Sequence, residues 1–238
     1  MKKLLNWIIP AVFGIGLWFI RTPEGLTPQS WHLFAFFVAS IVGCITQPLP
    51  IGGVSIVVIP VAALTGTLKI SEGISGFANS AIWLLVGAFL FSRGFIKTGL
   101  GKRIAYNLIS AFGSSSLRLA YALALSDLIL APATPSNTAR VGGVIMPITT
   151  SLAKAFGSEP QDGPRKIGSF LMQSIYQVNT ITSAMFQTSM AGNTLIAALV
   201  LKSFVISITW GDWAIAAIVP GIIALIIMPY FIYKVYPP

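Results

Sequence analysis

The chain has 238 residues, of which 55% are apolar and only 9% charged, and it carries a formal net charge of +9. A soluble domain carries about 25% charged residues, so this balance, with a mean hydropathy of +0.83, excludes an ordinary soluble protein and implies an integral membrane one. The bases lie in short segments between apolar runs, which reads as flanking charge at a membrane surface and gives no nucleic acid partner.

Met1-Lys2-Lys3 and the apolar run to Ile20 have the outline of a secretory signal. Trp18 and Phe19 stand where small residues would be needed for cleavage, so the run is expected to remain as a first span. Apolar runs long enough to cross a bilayer as helices, roughly 17 to 25 residues, follow at Trp31 to Gln47, Ile51 to Thr67, Ser80 to Thr98, Gly168 to Leu201 and Trp213 to Tyr233. Pro48-Leu49-Pro50 predicts a tight turn between the second and third runs. The segments 21 to 30 and 68 to 78 are short polar loops, and Lys154 to Lys166, with Gly157, Pro160, Gly163 and Pro164, is the longest polar connection. The single cysteine, Cys44, leaves no internal disulfide or cysteine-rich metal site.

The region from Leu117 to Phe156 is different. Its apolar run is broken at Pro132 and Pro135 and then carries Pro135-Ser136-Asn137-Thr138-Ala139-Arg140. Broken backbone and polar side chains at membrane depth are tolerated where protein or a water-filled cavity satisfies them, which is where transporters place substrates. From Arg140 to Lys154 is about 21 Å of helix, short of a hydrocarbon core of about 30 Å. A re-entrant hairpin is therefore expected. With the N-terminus cytoplasmic and the hairpin returning to its own side, Lys2, Lys3, Lys97, Lys102, Arg103, Arg118, Lys154, Arg165, Lys166 and Lys234 fall inside. Arg21, Lys69 and Lys202 fall outside, and Arg93 and Arg140 lie at membrane depth; two full spans in place of the hairpin would preserve the same bias.

A helix starting near Thr138 would aim its first amides at the tip, and such termini bind carboxylates and phosphates. Arg140, one turn in, could add bidentate pairing to an anion. The alternative is that Ser136, Asn137 and Thr138 only cap the helix and that Arg140 pairs internally with Asp127, the one acid in the hairpin. A second candidate is Thr188-Ser189-Met190-Ala191-Gly192-Asn193-Thr194, which interrupts a run of 34 residues, about 51 Å if fully helical. A break there would let carbonyls and side chains face the hairpin tip, although small residues also serve close helix packing. His32 beside Trp31 reads as interfacial, Arg93 as a snorkelling cation, and Gln173, Gln177 and Asn179 as polar packing or lining of the broken helix. One histidine and no paired carboxylates give no enzyme constellation.

Thr134-Pro135-Ser136-Asn137-Thr138-Ala139-Arg140, with Ile145-Met146-Pro147-Ile148 and Thr182-Ser183-Ala184-Met185-Phe186-Gln187-Thr188 after it, resembles the divalent anion/sodium symporter (DASS) family. The likeness covers the whole chain and is strongest to the 2-oxoglutarate/malate translocators and citrate/succinate antiporters. It implies an all-α integral membrane protein with one inverted-repeat half of an elevator-type transporter, about six spanning helices and one re-entrant hairpin. The segments implied are scaffold and connecting helices at 1–112, the hairpin at 113–156, a broken helix at 165–205 and a last span at 206–238.

Carried onto this sequence, the resemblance implies a substrate site at Ser136, Asn137, Thr138, Arg140 and Thr188. It implies sodium, in symporting members, at Asn137, Ala191, Gly192 and Asn193. No cofactor is implied beyond sodium as a coupling ion. The expected partners are a di- or tricarboxylate, membrane lipid, and a homodimer mate or a complementary C-terminal half, because no second Ser-Asn-Thr is present in the 238 residues. The expected setting is a bacterial inner membrane or plastid inner envelope, with transport of 2-oxoglutarate, malate, succinate or citrate. Exchange is expected on the premise that Arg140 is an unpaired buried cation that makes the empty carrier unfavourable. A sodium-coupled symporter and a non-transporting remnant or assembly partner are the alternatives.

Overall fold

The apolar runs become helices in a computed structural model that describes residues 2–161, 163 and 166–238. The chain divides into two compact units, 1–79 and 80–238. In the first, α1 (Lys2–Phe19), α2 (Pro28–Thr46) and α3 (Ile51–Leu64) are followed by the short α4 (Ile70–Gly73) and a 3-10 turn at Ser75–Ala78. Thr27 caps α2 by accepting from the Ser30 amide, and Pro28 takes the first helical position, where its missing N–H costs nothing. The Pro48-Leu49-Pro50 turn is present: α2 stops at Thr46, Gln47 turns left-handed at φ 50°, and α3 starts at Ile51. Gly43 sets how close α2 and α3 approach, since a Cβ there would lie 2.9 Å from Val54 Cγ1. Trp31 donates its indole N–H to the carbonyls of Leu17 (2.9 Å) and Ile20 (3.1 Å) at the end of α1. His32 stacks on Trp18 with centroids 3.7 Å apart, which gives the one histidine a packing role.

The second unit starts with α5 (Ser80–Thr98) and α6 (Leu100–Phe112), joined at Gly99 with φ 71°. Then come α7 (Ser116–Leu130), a 3-10 turn at Ala131–Ala133, α8 (Asn137–Arg140), a π-helical turn at Val141–Ile145 and α9 (Met146–Ala155). The long apolar run breaks as expected: α10 (Ile167–Met185) and α11 (Ala191–Phe204) are separated by a 3-10 turn at Gln187–Ser189. Finally α12 (Trp210–Val235) starts with a reciprocal capping box between Thr209 and Asp212. The core is shared by α6, α7, α9, α10 and α12, through Leu119, Leu123, Ile148, Phe170, Leu171 and Ile232 among others. At Gly221 of α12 a Cβ would meet the Met185 side chain at 2.6 Å, so any larger residue there would have to displace Met185 at the end of α10.

Among the described residues, four segments are long and apolar enough to cross a membrane by length and composition: Pro28–Thr46, Ser80–Thr98, Ser116–Ala133 and Trp210–Val235. Leu4–Phe19, Ile51–Leu64 and Ala191–Phe204 are shorter apolar helices. One expectation changes. The returning helix starts at Asn137, within a residue of the expected Thr138, but α8, the π turn and α9 run on as nineteen helical residues, up to about 28 Å, longer than the stretch from Arg140 to Lys154. Its length therefore no longer argues for re-entrance by itself. The division between compact units falls after Asn79, and within the second unit α6 buries Gly101 and Ala105 with Val144 of the returning arm packed beside Gly101. Pro164 and Arg165, part of the expected polar connection and of the charge count, lie outside the described residues.

Candidate functional site

The hairpin tip is built by its capping residues. After the 3-10 turn at Ala131–Ala133, Thr134 and Ser136 are extended, and the Ser136 hydroxyl accepts from the Ala139 amide at 3.2 Å. Asn137 Oδ1 accepts from the Thr138 amide at 2.9 Å. Two of the helix's first amides are therefore satisfied by the motif itself, so part of Ser136-Asn137-Thr138 is a cap. What remains open is the amide nitrogen of Asn137 Nδ2, which has no hydrogen bond to the described residues, and the Thr138 hydroxyl, whose one contact is 3.5 Å from Asn137 Oδ1. Thr138 is exposed, and Ser136 and Asn137 are half-buried.

Arg140 points the other way. Its side chain is fully buried, and Nε donates to Asp127 Oδ1 at 2.8 Å in the one ion pair among the described residues. Nη1 donates to the carbonyls of Thr134 and Ser189, both at 3.2 Å. Nη2 donates to the hydroxyls of Thr182 (3.2 Å) and Ser183 (3.1 Å). All five guanidinium donors are spent inside the protein. Asp127 Oδ2 in turn accepts from Thr182 Oγ1 at 2.5 Å and from Asn179 Nδ2 at 3.3 Å. The premise of an unpaired buried cation is overturned: α7 lies alongside the returning arm and brings the one acid of the hairpin to the one arginine of the tip.

The same network ties the tip to the break after α10, as the sequence suggested the two would meet. Ala191 donates its backbone N–H to the Pro135 carbonyl at 3.1 Å. Thr188 donates its hydroxyl to the Pro132 carbonyl at 2.7 Å and accepts from Trp210 Nε1 at 3.0 Å. Its one donor is directed at Pro132, so Thr188 ties the break to the tip. Asn193 is buried and turns its amide nitrogen onto the carbonyls of Ser183 (2.7 Å) and Phe186 (3.0 Å). Gly192 is half-buried with Met190 Cε 3.0 Å from where a Cβ would be.

A sodium ion needs converging oxygens, often unwound carbonyls. Here Asn137 Oδ1 accepts one bond, from the Thr138 amide, Ala191 uses its N–H on the Pro135 carbonyl, and Asn193 turns its amide nitrogen to Ser183 and Phe186. The Thr134 and Ser189 carbonyls and the Thr182 and Ser183 hydroxyls converge on the Arg140 guanidinium.

Thr182, Ser183, Trp210 and Trp213 were not among the expected site residues. Trp213 Nε1 donates to the Ala184 carbonyl at 2.9 Å, and Trp210 stacks on Phe186 with centroids 5.8 Å apart. The one signal available for the tryptophans was Thr209-Trp210-Gly211-Asp212, a capping-box pattern that starts α12 ahead of Trp213. Thr182 and Ser183 stand in a motif that carries the family resemblance, but their contact with Arg140 has no local signal, because they reach it only by tertiary closure.

A family profile described as "Sodium:sulfate symporter transmembrane region" matches residues 1–238. This chain belongs to that symporter family. Among its curated relatives, the Bacillus subtilis protein named "Putative malate transporter YflS" is 56% identical over 237 residues, covering 99% of this chain and 50% of the relative. The spinach (Spinacia oleracea) protein named "Dicarboxylate transporter 1, chloroplastic" is 49% identical, over 100% of this chain and 42% of its own length. The Escherichia coli "Citrate/succinate antiporter" is 36% identical, over 99% of this chain and 52% of its own length. The chain spans about half the length of the curated relatives it matches. Its symporter-family membership and its apolar helices make it an integral membrane protein.

Proposed function

We propose that this protein forms part of a carrier for dicarboxylates such as 2-oxoglutarate, malate and succinate, or for citrate, and that it works by exchange. The hairpin tip takes one substrate carboxylate. Asn137 supplies its side-chain amide, Thr138 its hydroxyl, and the start of α8 the partial positive charge of a helix N-terminus. Ser136 holds that terminus in shape. The relatives' names support the substrate class, and the uncommitted donors at the tip, on half-buried Asn137 and exposed Thr138, support the place.

The observation that carries the exchange reading is the position of the Arg140 guanidinium, bonded at once to a tip carbonyl, Thr134, and a break carbonyl, Ser189. A resident cation that closes tip against break removes the need for a coupling cation to do so. Because Asp127 neutralises it, the barrier to returning empty does not come from a bare charge. It comes from the tip donors, which lose their carboxylate partner and must be rehydrated or left unpaired when the site moves empty. Re-entrance of the hairpin belongs to the same reading: the tip docks where α10 ends, while fourteen residues of α11 still follow.

The test is dicarboxylate uptake into liposomes, with and without internal substrate and with and without a sodium gradient. Exchange predicts uptake that needs internal substrate and ignores sodium. Uptake that needs sodium and no internal substrate would instead establish the symport alternative.

A further inference from the structure

A groove of about 290 Å³ opens at the corner between α6 and α7, lined by Ala111, Phe112, Arg118, Tyr121, Ala122 and Leu125. Its Arg118 stands at the start of α7, the end away from the hairpin tip, and the groove plays no part in the exchange reading. Arg118 lies in the first turn of α7 and is exposed. One of its donors, Nη1, reaches the Ser114 hydroxyl at 2.9 Å, and the rest of the guanidinium has no partner among the described residues. Arg118 pairs with no acid among the described residues, and along the sequence from Ser80 to Ser158 the sole acid is Asp127, which is buried against Arg140, with Glu159 the next.

Below Arg118 the surface turns apolar. Leu125 and Ile129, 38% and 46% exposed, continue the same stripe of α7 at helical spacing. The side of the groove is closed by Tyr121, whose hydroxyl donates to the Ile226 carbonyl of α12 at 2.6 Å. From Arg118 to Ile129 the helix rises about 16 Å, close to one leaflet of a hydrocarbon core of about 30 Å. A cation at the membrane-surface end of an apolar slot one leaflet deep matches a phospholipid: anionic headgroup above, acyl chain below.

We propose that this groove is a binding site for one anionic phospholipid, with its phosphodiester on Arg118 and one acyl chain along Phe112, Ala122, Leu125 and Ile129. The test is native mass spectrometry of the detergent-purified protein titrated with phosphatidylglycerol and with phosphatidylcholine. One phosphatidylglycerol binds ahead of phosphatidylcholine, and Arg118→Gln weakens it by about fivefold, the effect of one basic residue near an anionic lipid. Lys202→Gln, remote on α11, leaves it unchanged. Arg118→Lys, which keeps the charge, loses less than Arg118→Gln.

Equal binding of the two lipids by the unsubstituted protein overturns the proposal, as does unchanged phosphatidylglycerol binding in Arg118→Gln. Displacement of the lipid by glycerol phosphate at equal concentration also overturns it, because the site would then take a soluble anion. Arg118 is exposed and outside the core, so these variants keep the fold, and size-exclusion profiles check this.

Discussion

Replacing Arg140 by leucine removes the central member of a buried network, and the size of the effect follows from its contacts. Arg140 and Asp127 side chains are 0% and 2% exposed. Without the guanidinium, Asp127 keeps only Thr182 and Asn179 as donors, and the Thr134 and Ser189 carbonyls each lose one. An uncompensated buried charge costs about 3–5 kcal/mol, and the orphaned carbonyls overlap with that figure rather than adding to it. At about 2–4 °C per kcal/mol for a chain of this size, Arg140→Leu lowers the unfolding midpoint by roughly 6–20 °C. Asp127→Leu acts similarly. The double variant removes both charges together and recovers much of the loss, with a coupling energy of about 2–3 kcal/mol. The assay is thermal unfolding in detergent, followed by tryptophan fluorescence and by the fraction surviving size exclusion. Additive single effects, or a single variant within about 1 kcal/mol of the parent, would refute the network.

Other consequences are smaller but equally direct. Ser136→Ala removes the cap on α8 and costs about 1 kcal/mol, which the same melts resolve. Gly221→Val places a branched side chain into Met185 and costs about 1–3 kcal/mol by overpacking, whereas Gly16→Val, which meets nothing within 4 Å, is tolerated. Trp210→Phe keeps the ring on Phe186 but loses the hydrogen bond to Thr188. It costs about 0.5–1.5 kcal/mol and speeds amide hydrogen exchange at 186–191.

Much of the architecture is legible in the order of residues because apolar length and proline position act locally. The runs at Ile51, Ser80 and Gly168, the turn at Pro48-Leu49-Pro50 and the break near Thr188 all follow from such signals. The direction of Arg140 is not legible in that way. Its partners come from residues 127, 134, 182, 183 and 189, so where the guanidinium points depends on how two arms and a broken helix close together. Sequence offered both an anion-facing and an internally paired arginine, and burial decides for the second: a bare guanidinium at 0% exposure would be far too costly. The returning arm exceeds the stretch from Arg140 to Lys154 for a local reason: Ser136 caps the helix and starts it at Asn137, three residues ahead of Arg140. Thr188 is a case similar to Arg140, since the contact of its hydroxyl with the Pro132 carbonyl follows from chain closure and has no local signal.

The account rests most on the hairpin tip as a carboxylate site, and Thr138 is its exposed reporter. With Cys44, the single native cysteine, replaced by alanine, Thr138→Cys supplies one thiol at the tip for timed maleimide labelling in proteoliposomes. Malate or 2-oxoglutarate is predicted to slow labelling in a saturable way, while equal chloride does not. Labelling at the same rate with and without either dicarboxylate would contradict the account and leave the tip as a helix cap that binds nothing.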